Sequence, residues 1–354
     1  MNQNLQIQQF KEIDLGDPFF DSLKLDYAEF GTWFSKKGES KANIFKTEMG
    51  QIDGFLYLKI EEEAVTDIRP SLPKAKRLKI GTFKINPHGT RLGERFLKRA
   101  FDIAVTNHVA SLYVTVFEKH TALVQLFLKY GFQKVGTKGT SNGEESVFER
   151  RLDVVSGDVV LDYPRIPLKR DRHFLLSIHP KWHTRLLPDS LLSNESASIL
   201  QDVSHTNSIH KIYLTNMNGV SNLKRGDTLF IYRTQEGGSA YYTSVVTSIC
   251  VVEELIHMSK FASEVDFKNY CRPYSVFDDN ELSDFYVNNR YPWIIRFTYN
   301  MALNKRLNRK ILIEEVGLVA NQYWGFFQIS TENFKQIVKL SNDYEKTRSI
   351  VYTS

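Results

Sequence analysis

The strand-like segment Arg77–Asn86 constrains this 354-residue chain more than any other stretch. Leu78 and Ile80 alternate in one phase, and Phe83 and Ile85 alternate in the other. A strand sends successive side chains to opposite faces, so a change of phase calls for one inserted residue. The change falls at Gly81-Thr82, which predicts a β-bulge there. A strand buried on both faces would carry the same pattern without one. Directly after it come Pro87-His88-Gly89-Thr90-Arg91-Leu92-Gly93-Glu94, and then a helical stripe of Phe96, Leu97, Ala100, Phe101 and Ala104. Strand, glycine turn and helix start together aim several N–H groups one way, with the helix dipole behind them. Phosphates bind such turns, and Arg91 and Arg95 add charge. Glycines in a strand-to-helix turn also serve positive φ alone, so the turn does not by itself assign a ligand.

The first 150 residues alternate strand and helix patterns. Leu5–Phe10 reads as a strand. Asp17-Pro18 starts a helix whose buried stripe is Phe20, Leu23, Tyr27, Phe30 and Phe34. Ala42–Lys46 and Gly54–Ile60 form a hairpin around Gly50. A helix over Leu92–Asn107, a strand over Leu112–Phe117 and a helix over Thr121–Tyr130 follow, then one or two strands to Leu152. Residues 153–171, with Gly157, Pro164 and Pro167, read as a linker. A strand-rich unit fills 172–345, in which 188–209 is a long loop or weak helix, and 346–354 is a tail. No apolar run approaches the roughly 20 residues a spanning helix needs. The start MNQNLQIQQFKEID lacks the basic-then-apolar pattern of a signal peptide. Cytoplasm, without a membrane, is the expected location, and two cysteines make no disulfide framework. The net charge of +5 is spread along the chain and permits an anionic ligand without demanding nucleic acid.

Residues 88–93 resemble the acyl-CoA loop of the GNAT N-acetyltransferase superfamily, whose pattern is Gln or Arg, two residues, Gly, one residue, Gly or Ala. Gly93 matches the last place, while His88 takes the first and Arg91 the central glycine. Downstream, His120–Phe132 (HTALVQLFLKYGF) resembles the superfamily's Asn-x-x-Ala-x-x-Leu-Tyr-x-x-x-Gly-Phe. Leu126, Gly131 and Phe132 match; His120, Leu123 and Phe127 replace Asn, Ala and Tyr. The element order agrees over residues 1–152. FFDSLKLDYAEFGTWF, RLKIGTFK and LYVTVFEKH are similar to a prokaryotic GNAT subgroup often fused to other small domains.

That resemblance implies a mixed sheet flanked by helices, with acetyl-CoA held where strand 77–86 parts from strand 112–117. Pantetheine would lie against Phe83, Lys84 and Ile85. The pyrophosphate would sit on His88, Gly89, Thr90, Arg91, Leu92, Gly93 and Glu94, with His120 and Phe127 as further cofactor positions. The superfamily's acid tyrosine is Phe127 here, so the acid is either missing or replaced by Tyr130, His120 or Tyr113, of which Tyr130 is the catalytic candidate. Glu118 is the expected base, with Glu61-Glu62-Glu63 behind it. A carboxylate beside a helix start explains Glu118 equally well. If Lys79, Thr82 and Lys84 face the cleft, they favour an anionic acceptor.

His173–Leu187 (HFLLSIHPKWHTRLL) resembles the opening of ASCH domains, a branch of the PUA-like small β-barrels, through Ser177, Ile178 and Pro180. That family's Gly-x-Lys-x-x-x-x-Arg element is not evident in 188–195, so hydrolysis is not implied. RNA is, tRNA first, with Lys181, Trp182, Arg185, Lys224 and Arg225 as contacts. His179 and His183 have no third ligand beside them, so no metal is expected. The whole reads as an α+β chain, a GNAT domain fused to a PUA-like barrel with short helices. The expected activity is acetyl-CoA-dependent N-acetylation of an RNA amine. The alternatives are a protein or small-molecule N-acetyltransferase, or a non-catalytic CoA or nucleic-acid binder.

Overall fold

In the computed structural model, which describes residues 5–193, 195 and 201–353, the chain divides into two units, Met1–Val154 and Val155–Ser354. The first unit runs β1 (Leu5–Gln9), α1 (Asp21–Asp26), α2 (Phe30–Lys36), β2 (Lys41–Lys46), β3 (Ile52–Glu61), β4 (Arg77–Ile85), α3 (Leu92–Thr106), β5 (Ser111–Val116), α4 (Thr121–Lys129), β6 (Gln133–Thr140) and β7 (Gly143–Arg151). Its sheet has the order β1-β2-β3-β4-β5-β7-β6. Every neighbouring pair is antiparallel except β4 with β5.

The bulge falls where the phase change places it. Tyr57 faces Thr82 and Leu58 faces Ile80, leaving Gly81 as the inserted residue. A Cβ on Gly81 would lie 2.7 Å from Cδ1 of Tyr57, closer than a side chain tolerates. The parallel ladder to β5 ends at Ile80 opposite Val114. β4 nevertheless continues to Ile85, so the two central strands part beyond the bulge.

The single helix expected after Pro18 is broken in two. Asp17 accepts from the Phe19 N–H at 2.8 Å and starts a short 3-10 turn. Tyr27 then leaves the helix with φ −133 and ψ 98. Its hydroxyl donates to Glu145 Oε1 at 2.7 Å and its ring stacks on Phe117, two contacts a continuous helix would not reach. The stripe still works as a stripe: Phe20, Phe30 and Phe34 are buried with Phe10, Phe55 and Tyr57.

The second unit runs β8 (Ile166–Pro167), β9 (His173–Ile178), α5 (Pro180–Leu186), α6 (Ser204–Asn207), β10 (His210–Thr215), β11 (Thr228–Arg233), α7 (Ala240–Thr243), β12 (Val245–His257), α8 (Glu264–Cys271), α9 (Asp279–Asn288), β13 (Trp293–Asn308), α10 (Arg309–Glu314), β14 (Phe326–Ile329), α11 (Thr331–Leu340), α12 (Tyr344–Ile350) and β15 (Val351–Tyr352). Six strands form a sheet in the order β10-β13-β12-β11-β9-β14. Among the described residues no pairing of β10 with β14 closes it, so the expected barrel is met by an open ladder. Three register shifts along β12 and β13 supply local twist without closure.

Residues 155–171 and 346–353 are built into this unit, in place of the expected linker and tail. Val159, Tyr163 and Ile166 are buried, and the Tyr163 hydroxyl donates to the Tyr299 carbonyl at 2.9 Å. β8 pairs with β15, so the two stretches hold each other, and Ile350 is buried beside them. Apolar residues spaced between prolines explain the difference. Proline and glycine mark irregular backbone, which a core can still bury. Within 188–209, residues 194 and 196–200 lie outside those described, and α6 occupies part of the rest. No helix among the described residues is long and apolar enough to cross a membrane.

Burial pushes His173 down to about 4 and His183 down to about 3. The unfolded chain therefore takes up protons that the folded chain refuses. Stability is fully present above about pH 6.5 and falls as pH drops toward 4, by about 1.4 kcal/mol per pH unit per histidine. Urea midpoints across that range should show the slope. His173→Phe, which keeps a ring against Phe334, should flatten it, and an unaltered slope would count against the burial account.

Candidate active site

The parting of β4 from β5 opens a cleft of about 720 Å³ in the first unit. On its β5 side, β4 beyond Ile80 has lost its strand partner and presents backbone groups to the cleft. Register decides which side chains go to which side. Leu78, Ile80, Leu112 and Val114 are buried on the face toward α3. Phe83 continues that face, with its ring 5.8 Å from Phe96 of α3 and 5.7 Å from Phe127 of α4. Lys59, Lys79 and Tyr113 are register partners on the opposite face, with Glu61 two residues along.

Ile85, Pro87, Leu123 and Leu126 give the helical side of the cleft an apolar wall. A Cβ on Gly93 would lie 3.1 Å from Leu126 Cδ2 and 3.4 Å from Ile85 Cδ1, so this glycine sets how closely α3 approaches α4. In the turn, Gly89 has φ 84, and Arg91 caps α3 with φ 60 and ψ 27. Arg91 thus holds the left-handed conformation that suits glycine, at a cost of about 1–2 kcal/mol. Its guanidinium lies 3.4 Å from Glu94 Oε1, which also takes Lys129 Nζ at 2.9 Å. The buried Glu94 carboxylate therefore ties α3 to α4, with two cations offsetting its charge at the helix start. His88 turns Nδ1 to the Asn86 carbonyl at 2.9 Å.

Of the expected cofactor residues, Phe83, Lys84, Ile85 and His120 line the cleft. His88, Gly89, Thr90, Arg91, Leu92, Gly93 and Glu94 lie at the turn beyond the lining. Phe127 is fully buried, its ring 5.0 Å from that of Phe132. An apolar wall, a strand edge without a partner and a helix start in series fit an acyl-CoA thioester.

The two expected catalytic residues do not line the cleft. Tyr130 is fully buried at the end of α4. Glu118 is exposed and spoken for: its Oε1 takes Lys134 Nζ at 2.7 Å and Ser146 Oγ at 2.8 Å. Those hydrogen bonds hold its carboxyl below the usual range and weaken it as a base. Two pairings that the sequence reading did not foresee place His120 with Asp26 and Glu61 with Lys59 along the cleft. His120 Nε2 lies 3.0 Å from Asp26 Oδ2, and Lys119 Nζ lies 2.5 Å from Asp26 Oδ1. Ninety-odd residues separate Asp26 from His120, and no sequence pattern joins them. On the opposite face Lys59 Nζ binds Glu61 at 2.9 Å, and the Tyr113 hydroxyl donates to the same carboxylate. Burial raises the Glu61 pKa, but the hydrogen bonds from Tyr113 and Lys59 outweigh it and lower it on balance. Burial lowers Lys79 and Lys84.

The five residues expected at RNA have varied surroundings. Lys181 Nζ lies 3.2 Å from Glu281 Oε1, and Arg225 lies 2.7 Å from Asp158 while donating to the Glu253 carbonyl. Trp182 is half-buried with its ring edge-on to Phe277. Lys224 is exposed and Arg185 half-buried, neither with an ion pair among the described residues.

No family model and no curated protein matches the chain. Solved structures give distant likenesses. A GNAT family acetyltransferase from Elizabethkingia anophelis with acetyl-CoA bound is 15% identical, over 42% of this chain and 99% of its own, at a TM-score of 0.30. An IAA acetyltransferase from Bacillus cereus is 16% identical, over 42% and 99%, at 0.32. A mutant ZmASCH protein from Zymomonas mobilis is 10% identical, over 49% and 99%, at 0.33. Scores this low decide neither fold nor activity.

Glu94→Gln should leave Arg91 and Lys129 without their shared anion and cost about 1–3 kcal/mol. A lower urea midpoint at unchanged m-value is the expected reading. An unchanged midpoint would place the tie between α3 and α4 elsewhere.

Proposed function

We propose that the first unit is an acetyl-CoA-dependent N-acetyltransferase. One observation carries the reading: β4 parts from β5 at the Gly81 bulge and leads into a glycine turn and the start of α3. The resemblance of residues 88–93 and 120–132 to the GNAT motifs supports it. Bound acyl-CoA would supply an activated acyl group as a thioester. Ile85, Leu123 and Leu126 would hold the pantetheine, and the N–H groups at the start of α3 would hold the pyrophosphate. The β4 edge offers N–H donors to an acyl oxygen.

His120 is the base of this proposal. Asp26 engages Nε2 and leaves Nδ1 to take a proton from the acceptor nitrogen, an arrangement suited to general base catalysis. Glu61 competes poorly, because Lys59 and Tyr113 already stabilise its charged form. Neither Phe127 nor the buried Tyr130 can hand a proton to the leaving thiolate.

Calorimetry with acetyl-CoA tests the reading directly, and absence of heat sinks it. Gly93→Glu should abolish binding through bulk against Leu126 and charge at the turn, with circular dichroism confirming that the variant folds. His120→Gln should lower kcat/KM about 100-fold while leaving acetyl-CoA affinity intact. Asp26→Asn should fall between the two and shift the pH profile. Wild-type rates in His120→Gln would clear it of the role.

A second reading gives the acceptor amine to an RNA held by the second unit. Lys224 and Arg185, cations without ion pairs among the described residues, favour it. A gel shift with tRNA should then weaken steeply with salt and weaken further in Lys224→Glu. Salt-insensitive or absent binding would remove RNA from the proposal.

A further inference from the structure

The inserted Gly81 does more than open the sheet. Lys79 and Lys84 are five residues apart, an odd spacing that puts them on opposite faces of a regular strand. Lys79 faces Lys59 and Lys84 faces Phe55, and those partners are four apart on the unbulged β3. Both lysines therefore project from the same face, the one under α1 and α2, and both line the cleft.

Their charge is not matched. The carboxylates nearest Lys79 are already taken: Glu61 by Lys59 at 2.9 Å and Asp67 by Lys138 at 2.6 Å. The Lys79 ammonium lies 5.5 Å from the centre of the Tyr113 ring and has no ion pair among the described residues. Lys84 Nζ meets the Ser22 hydroxyl at 2.5 Å and the Phe19 ring at 4.8 Å, with no ion pair among the described residues, while Asp21 and Asp26 favour its charge from further off. Both are half-buried, and burial disfavours their charged forms. Two half-buried cations with no carboxylate in ion-pair contact among the described residues leave a place that an anion would complete.

We infer that the acceptor carries an anionic group, a carboxylate or a phosphate, beside its amine, and that Lys79 and Lys84 bind that anion on the face away from α3. This rests on the acetyltransferase reading. The transfer itself forms a nitrogen–carbon bond and breaks the carbon–sulfur bond, whose electron pair leaves on the CoA thiolate; the amine proton passes to His120, and the thiolate takes its proton from solvent water.

The experiment uses the full chain with saturating acetyl-CoA and follows released thiol. The acceptors are β-alanine against its amide, and phosphoethanolamine against ethanolamine. At least one anionic member should be preferred by tenfold or more in kcat/KM over its neutral twin, and the pair that shows it identifies carboxylate or phosphate. Lys79→Met should raise KM for that acceptor about tenfold while leaving kcat and the calorimetric acetyl-CoA affinity near wild type, and Lys84→Met, at an expected cofactor position, should raise the same KM with its acetyl-CoA affinity measured alongside. Lys79→Arg should retain part of the effect. Equal rates for both members of each pair, or transfer to tRNA with all four small amines ignored, overturn the inference while acetyl-CoA binding stands. Absence of acetyl-CoA binding overturns the reading beneath it. As a readout independent of transfer, whichever of β-alanine and phosphoethanolamine is the preferred acceptor should raise the Tm of wild type but not of the Lys79→Met, Lys84→Met double variant; equal shifts in both would overturn the inference.

Discussion

One unpaired residue in a central strand governs the first unit. A regular β4 would stay zipped to β5 and keep a single phase along its length. With Gly81 inserted, the ladder to β3 survives while the ladder to β5 stops at Ile80. Two consequences come from the same residue. Backbone groups lose a strand partner and become available to a ligand. Side chains that would be divided between two faces, Lys79 and Lys84, are collected on one. Glycine is required there because the Tyr57 ring occupies the space a Cβ would need.

The surrounding structure keeps that opening rigid on both sides. The buried Glu94 fastens α3 to α4 through Lys129, and Gly93 allows Leu126 and Ile85 to close around the first turn. On the other side, Tyr27 reaches Glu145 and Phe117, which fixes α1 and α2 over the opposite face at the expense of a continuous helix. Each carboxylate lining the cleft is engaged, Asp26 and Glu61 by ion pairs and Glu29 and Glu145 by hydrogen bonds from Asn142 and Tyr27, so the electrostatic character of the remaining space is set by the lysines left over. A preorganised cleft of this kind binds without first paying to arrange its walls.

Departures from the GNAT motifs acquire physical meaning in three dimensions. Arg91, at the central glycine place of the motif that residues 88–93 resemble, is left-handed in this chain, and its guanidinium lies 3.4 Å from Glu94. Phe127 replaces a tyrosine and is sealed against Phe83 and Phe132, so the loss of a hydroxyl there is a gain for the core. His120, at the asparagine place of the motif that residues 120–132 resemble, meets Asp26 at 3.0 Å.

Local order set much of this architecture. Alternation and its interruption placed the bulge, and the glycine turn and helical stripe placed the start of α3, because backbone sterics and one-face burial act over a few residues. The cleft's chemistry was out of reach. His120 meets Asp26, Tyr27 meets Glu145 and Tyr113 meets Glu61 across long stretches of chain, and only folding brings them into range. Glu118 and Tyr130 looked catalytic from their places in the motif region. Their surroundings, two hydrogen bonds in one case and complete burial in the other, are properties of packing. The same holds for residues 155–171 and 346–353, whose prolines and polar residues describe a connector and a tail until β8 and β15 pair. Propensity is local and partner choice is not, so the sequence alone settled the bulge in β4 and the start of α3, and the tertiary structure decided which segments pair and which charges remain unmatched.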